Sequence, residues 1–456
     1  MLAAAVALLV SLPTIPGVRE WHDGRGTFHL RASTRVVGGG AEARLLAREL
    51  ARPLAHGSPR AGDIVLERGS RDRRLGREGY RLDSGSELRV RARGSAGVFY
   101  GTRTVLQLLR ARHGVVPAGW ARDWPRYPER GLMIDNGRRY FGPAWIKRRI
   151  RELAYLKLNQ LHLHFSDNQG FRIESDGHPE AVTRPFLTKR QVREILAVAR
   201  RYHVRVIPEL DMPGHMRAAL VAHPELQVPR RPDELDFSKP AARRFARDLI
   251  LEYLELFPGR YWHAGADEFA GPGDFVGFVN WIDRLVRARG RTLRIWHDGL
   301  TGTRLRRDVV VEWWAEHRGP SPAELLAEGH RVLNAGWWPT YYVVGPGGRV
   351  KPSMKAAYET WQVNAFGGLA VNVPLPSSPP QVVRRHADRI RGSELHVWND
   401  DRSAETVAEI ARGIAPRLRV LAQKTWDTPP PARTYAGFRR LWPLIRPPGR
   451  PPSSRR

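Results

Sequence analysis

Tyr261-Trp262-His263-Ala264-Gly265-Ala266-Asp267-Glu268-Phe269 is the stretch whose reading decides the fold. It opens as a short apolar run, reads as a buried strand and ends on two adjacent carboxylates. Successive strand residues point to opposite faces, so Asp267 and Glu268 share one pocket only if the chain leaves strand geometry there. Ala264, Gly265 and Ala266 are small enough for the backbone to turn and for a ligand to come close. Two neighbouring acids in a loop at the end of a buried strand suit general acid and base chemistry. Such a pair by itself is more often a solvated loop than a site.

The chain around this stretch repeats the same pattern. Short apolar strands are expected at Gly131–Asp135, Gln160–Phe165, Val204–Leu210, Tyr261–Gly265, Leu293–Trp296, Val309–Trp313, Arg331–Asn334 and Glu394–Trp398. Helical periodicity falls between or after them, at Ala144–Lys157, Lys189–Tyr202, Ala241–Leu256, Asp274–Arg289, Ser321–Ala327 and Ala404–Gln423. Eight strand-helix units over roughly 300 residues predict an α/β fold, a (β/α)8 TIM barrel, with a doubly wound sheet as the alternative. Gly336 to Arg391 is too long for a simple connection and is expected to hold an active-site loop or an excursion.

Upstream, residues 17–124 read as a small α+β domain. Gly79–Leu82 and Leu88–Ala92 alternate as half-buried strands around the turn Ser84–Glu87, and Ala96–Arg110 follows as a helix. Arg122–Glu129, with Pro125 and Pro128, is the expected linker. The expected organisation is a signal-like segment over 1–16, the small domain over 17–124, the barrel over 125–442, and a disordered Pro/Arg-rich tail over 443–456.

The 456 residues suffice for a large core and two domains, and 42% are hydrophobic. The net charge of +29 comes from 68 Arg and 7 Lys. The Arg is spread along the chain without a nucleic-acid motif, so a compositional bias is expected and no nucleic-acid partner. The chain has no cysteine, which removes disulfides and thiolate metal sites. The apolar run Met1–Leu12 falls short of the roughly 20 residues that span a bilayer, so no membrane insertion is expected. It resembles the apolar core of a secretory signal without the basic start or the small-residue cleavage site. A secreted or cell-surface location is expected, with the cytoplasm as alternative. The oligomeric state is left open.

In a barrel of this kind, active sites collect at the C-terminal strand ends. Polar and aromatic residues cluster there: Asp135; His162 to Gln169; Glu209 to His215; Asp267 and Glu268; Trp296, His297 and Asp298; Trp313 and Trp314; and Trp398, Asn399 and Asp400. Trp337, Trp338, Tyr341 and Tyr342 follow the seventh strand. Aromatic walls edged with carboxylates suit a sugar ring, which has apolar faces and a hydroxyl rim.

Arg130–Asp135, Leu161–Gln169, Glu209–His215 and His263–Glu268 together resemble the signature blocks of glycoside hydrolase family 20, the β-N-acetylhexosaminidases. Glu78-Gly79-Tyr80 and Gly97–Gly101 are similar to that family's N-terminal domain, so the resemblance covers both domains. It implies an exo-acting enzyme that removes terminal β-linked N-acetylglucosamine or N-acetylgalactosamine, with an amino-sugar glycan as partner and no cofactor. It also implies a substrate-assisted mechanism, in which the acetamido oxygen of the sugar replaces the second carboxylate of ordinary glycosidases. By motif, Glu268 resembles the general acid and base, and Asp267 the residue that orients the acetamido nitrogen. The resemblance further implies Tyr341 or Tyr342 on the acetamido oxygen, and Trp296, Trp313 or Trp314, and Trp398 as walls. Arg130 and Asp400 would hold ring hydroxyls, and Asp167 and His215 would tune the acid. No metal is expected: His162, His164 and His263 read as packed side chains, and a His162/His164/Asp167 site lacks support elsewhere.

The chain departs from the family pattern in several places. Gly265-Ala266 stands for Gly-Gly, Trp296-His297-Asp298 for Trp-Asp-Glu, and Asp400 for Glu. Val343 and Val344 follow the tyrosines where an acid is usual. The competing reading is a non-catalytic or altered-specificity glycan-binding protein on the same fold. Retention of both acids argues against it.

Overall fold

The computed structural model describes residues 12–300, 304–345, 351–368 and 379–446. The signal-like run up to Ser11 and the tail from Pro447 lie outside them. The described chain forms two compact units. One comprises residues 12–126, 155–157 and 422–446; the other comprises the described residues of 127–154 and 158–421.

The first unit is the expected α+β domain. Its sheet has seven strands in the order Glu20–His29, Val115–Asp123, Tyr80–Ser84, Leu88–Ala92, Ile64–Arg68, Val36–Val37 and Leu54–Ala55. Helices Gly40–Leu50 and Ser95–Ala111 accompany it. Leu12 and Ile15 are buried, and the Ile15 amide donates to Gln107 Oε1 at 2.7 Å. The signal-like segment placed at 1–16 is therefore packed structure from Leu12 onward. The chain from Ala422 also belongs to this unit rather than to the barrel, whose end was placed at 442. The cause is buried polar anchoring: the Trp426 indole donates to Asp123 at 2.8 Å, and Tyr155 Oη donates to the Ile445 carbonyl at 2.6 Å. Tyr435–Leu444 is helical, so the tail placed at 443–456 begins inside a helix.

The second unit is a closed parallel barrel. Its strands are β1 (Glu129–Asp135), β2 (Gln160–His164), β3 (Arg205–Glu209), β4 (Tyr261–His263), β5 (Thr292–Trp296), β6 (Val310–Trp313), β7 (Arg331–Asn334) and β8 (Ile390–Trp398). Each pairs with the next, and β8 closes on β1. The helices that follow are α1 (Pro143–Tyr155), α2 (Lys189–Arg201), α3 (Pro240–Leu256), α4 (Phe275–Ala288), α5 (Pro322–Ala327), α6 (Met354–Glu359) and α7 (Val407–Trp426). Among the described residues no helix separates β5 from β6. The excursion expected between Gly336 and Arg391 is there; it contains a short strand, Tyr341–Val343, that pairs with β8. No helix among the described residues is long and apolar enough to cross a membrane.

The strand sequences alternate because one face packs on helices while the other fills the barrel. The filling in this chain is polar. Glu129, Gln160, His162, Glu209, His263, Arg294, Glu312, Glu394 and His396 are all fully buried. Arg294 is the hub. Its guanidinium donates to Glu312 Oε1 at 3.0 Å and Gln160 Oε1 at 2.8 Å, pairs with Glu129, and lies 4.1 Å from the centroid of the Tyr261 ring. Buried charges persist only when paired and hydrogen-bonded in this way.

Candidate active site

The turn after β4 sets the site. Strand geometry stops at His263, and Gly265, Ala266 and Glu268 have φ of 67°, 69° and 52°. Left-handed backbone costs a residue with a Cβ about 1–2 kcal/mol, so the turn must be held from outside. The Ala266 amide donates to Asp211 Oδ1 at 3.2 Å, and the Glu268 amide to Asp298 Oδ1 at 3.2 Å. The Trp296 amide donates to the Gly265 carbonyl at 2.8 Å. A Cβ on Gly265 would lie 1.7 Å from Asp211 Oδ1. Gly265→Ala is therefore expected to lose about 2–4 kcal/mol of stability through strain and overpacking. The displaced acids should lower turnover by about 10²-fold or more. Denaturant unfolding and steady-state assay of the same preparation check both, and near-normal values would show that Asp211 yields.

One imidazole joins the acids. His215 Nε2 lies 3.4 Å from Glu268 Oε2 and 3.7 Å from Asp267 Oδ2, while Nδ1 faces Asp167 Oδ1 at 3.5 Å. Burial works against a charged ring, yet Asp167, Asp267 and Glu268 hold His215 protonated well above the usual histidine range. Asp167 is in turn held low, against its burial, by Arg138 and His164. Arg138 Nη2 is 2.9 Å from Asp167 Oδ2, its Nη1 donates to Asp135 Oδ2 at 3.1 Å, and its guanidinium lies over Trp398 at 5.2 Å.

The two acids are tuned in opposite directions. The close approach of His215, with its charge and that of Arg318, lowers Glu268. Arg318 pairs with Glu268 Oε1 and covers the face of Trp314 at 5.2 Å. Burial, with the charges of Glu209 and Glu268, raises Asp267. Burial and the charge of Asp267 likewise raise Asp211. Asp267 Oδ1 is buried with no hydrogen-bond partner among the described residues. Asp298 is pushed up to about 7, by burial first and by Asp267 second.

The aromatic wall is one cluster: Trp296, Trp314, Tyr341 and Trp398, with Met133, Ala315, Ala335 and Val343, and with Trp337 packed against it. Trp296 Nε1 donates to Glu209 at 2.9 Å, and Trp314 Nε1 to Asp298 Oδ2 at 2.5 Å. Alternation decides between neighbours that the sequence left paired. Tyr341 and Val343 face the cluster, whereas Tyr342 points away, donating to Glu405 Oε2 at 2.6 Å. Trp313 also turns away; its indole donates to the Pro320 carbonyl at 3.1 Å, and its ring meets Phe366 edge-on.

Arg130 is not brought to the site. It lies fully buried near the start of β1, where its guanidinium donates to the Tyr127 carbonyl at 2.7 Å. Asp400 is exposed beyond β8, and its charge acts on Arg138. Sequence reasoning assigned no role to Arg138, Asp211, Asp298 or Arg318. Asp211 lies inside the Glu209–His215 stretch, and Arg138 follows the Asp135 strand end by three residues. Arg318 carried no signal.

The chain matches the model of glycosyl hydrolase family 20, catalytic domain, over residues 127–273 and 274–429, and that of the family's domain 2 over 11–124. The chain belongs to glycosyl hydrolase family 20. A family 20 relative, the lacto-N-biosidase of Bifidobacterium bifidum, is 32% identical over 95% of this chain, which spans 41% of that protein's length. The β-N-acetylhexosaminidase of Cellulomonas fimi is 29% identical over 86% of this chain and 84% of its own. Among solved family 20 structures, a Streptomyces plicatus β-hexosaminidase mutant in complex with its product GlcNAc is 28% identical with a TM-score of 0.80, covering 97% of both chains. The β-N-acetylhexosaminidase of Streptomyces coelicolor has the same TM-score at 26% identity, covering 97% of this chain and 98% of its own.

Proposed function

We propose that this chain is an exo-acting β-N-acetylhexosaminidase that hydrolyses terminal β-linked 2-acetamido sugars with retention, the substrate's acetamide acting as nucleophile. One observation carries the reading: both carboxylates lie within 3.4–3.7 Å of a single nitrogen, His215 Nε2. Acids that converge on one imidazole do not flank opposite faces of a ring, whereas ordinary retaining enzymes place two carboxyls roughly 5 Å apart across the bond. Glu268 then serves the leaving oxygen and, afterwards, water. Asp267, with its buried free oxygen, orients the acetamido nitrogen. Tyr341, on the cluster's face, holds the acetamido oxygen. Arg138 and Asp400 take the ring hydroxyls, the role first assigned to Arg130.

The test compares chromogenic β-glycosides with and without the 2-acetamido group. The acetamido substrate turns over with retention, the 2-hydroxy glucoside is essentially inert, and a thiazoline mimic of the cyclic intermediate inhibits competitively. Comparable turnover of the glucoside, or a sugar trapped on a carboxylate, would sink the reading. A lacto-N-bioside belongs in the same panel, because one relative carries that activity in its name.

Arg318 supplies a pH test. A general acid works in its protonated form, and Arg318 is among the charges that lower Glu268. Arg318→Gln is expected to raise that carboxyl, so the protonated form persists to higher pH. The basic limb of the kcat/KM profile moves upward. A fixed limb would mean that another group sets it.

A further inference from the structure

The tripeptide His-Pro-Glu occurs twice, as His178-Pro179-Glu180 and His223-Pro224-Glu225. Each copy opens a short 3-10 turn with nearly the same backbone at its histidine, φ −137° and ψ 63° in one, φ −133° and ψ 58° in the other. The first copy lies between β2 and α2, the second between β3 and α3. The fold brings them together. His178 Nδ1 lies 3.0 Å from Glu180 Oε1, and His223 Nε2 lies 2.9 Å from the same oxygen. His223 Nδ1 faces Glu225 Oε1 at 3.3 Å. Phe245 of α3 packs against both rings, at 4.6 and 5.1 Å between centroids, which fixes their directions.

We propose that His178, Glu180 and His223 form a surface site for a divalent transition-metal ion, zinc in the first instance, that clips the β2–α2 loop to the β3–α3 loop. The three ligand atoms lie within 4.8 Å of one another. Zinc bonds of about 2.0–2.2 Å set tetrahedral edges near 3.3 Å, so the two histidine–Glu180 separations, 3.0 and 2.9 Å, need to open by only a few tenths of an ångström. Two imidazoles and one carboxylate favour zinc, copper or nickel over magnesium or calcium, and leave a position for water. Glu225 behind His223 is the outer carboxylate that typically orients a ligating imidazole.

Charge supports the assignment. The chain carries a net +29, yet among the described residues neither Glu180 nor Glu225 has an ion pair with Lys or Arg; their ion-pair partners are histidines. The side chains of His178, His223 and Glu180 are 18%, 23% and 38% exposed, so an ion can enter from solvent. The other His and carboxylate clusters are more deeply buried: one is the His215 and Asp267 group already described, and the others lie at the strand ends and in the barrel filling. The clipped β3–α3 loop is the one that presents His215, but the metal site stands without the proposed sugar chemistry.

The experiment titrates zinc into the full chain after chelator treatment, by calorimetry and by competition with a chromophoric chelator. One tight equivalent is expected, with a rise in melting temperature. Cobalt in its place should show the visible bands of a low-symmetry site, and magnesium should do nothing. The double variant His178→Ala, His223→Ala should lose the equivalent while hydrolysing chromogenic substrate at the wild-type rate in metal-free buffer. Glu225→Gln should weaken zinc by about tenfold or more. If the double variant does not fold, His223→Gln, which keeps the ring's bulk approximately, is read instead. The absence of a tight equivalent in the wild-type chain overturns the proposal. So does an equivalent that survives these variants, which would place the ion elsewhere, on Asp211, His215 and Asp267 for example.

Discussion

Glu268→Gln is expected to lower turnover of the 2-acetamido substrate by about 10²–10⁴-fold, the usual span for removing a positioned general acid and base. Gln keeps the shape of the side chain and loses the proton. The environment makes the loss specific to chemistry. Glu268 is 39% exposed at its side chain and is held by His215 and Arg318 rather than by the core, so unfolding by denaturant should change little. The size of the loss should depend on the leaving group. A phenolate with a low pKa departs with little protonation, so its glycoside should suffer least, and an alkyl glycoside most. A measured series in which every leaving group loses the same factor would reassign the acid. Asp211 would then be the next candidate, because burial and the neighbouring charge of Asp267 raise its carboxyl.

The largest loss of stability is expected at the other end of the barrel. Arg294→Met keeps much of the side chain's volume and removes the cation that faces Glu129, Glu312 and Glu394. Breaking a buried ion pair by deleting one partner typically costs about 3–5 kcal/mol, because a charge is left without compensation. Arg391, 2.9 Å from Glu129, partly covers that carboxylate, so the deficit should fall on Glu312 and Glu394. Glu394 is already pushed up to about 7 by burial first and Glu312 second, so it can take a proton as relief. The variant should therefore be most destabilised at alkaline pH and recover part of the loss as the pH falls. Urea unfolding at several pH values measures this. A loss under about 1 kcal/mol at every pH would mean that water or protons already balance these acids.

Much of the fold was legible because a barrel strand has one face on helices. Leu161 and Leu163 of β2, or Leu293 and Ile295 of β5, announce that face by alternation. The residues that alternate with them, Gln160, His162 and Arg294, look like solvent-facing positions in a linear reading. They are in fact the barrel's filling, and only closure of the sheet turns that face inward. The acid pair was legible for a local reason: Gly265 and its small neighbours permit a turn that puts consecutive side chains on one side.

The sequence by itself determined the two-unit organisation, the eight strands, the acid pair and the aromatic character of the strand ends, because these follow from local composition and period. Tertiary structure alone decided which members of each neighbouring pair face the aromatic cluster or the acids. Tyr341 rather than Tyr342, and Trp314 rather than Trp313, face the cluster because strand parity at the rim depends on where a strand ends. Arg138 rather than Arg130 reaches Asp167 because one follows the strand and the other begins it. Arg318 meets Glu268 across 50 residues, and His223 meets Glu180 across 43. Contacts at such separations are set by how loops pack on a closed barrel, and no period in the chain encodes them.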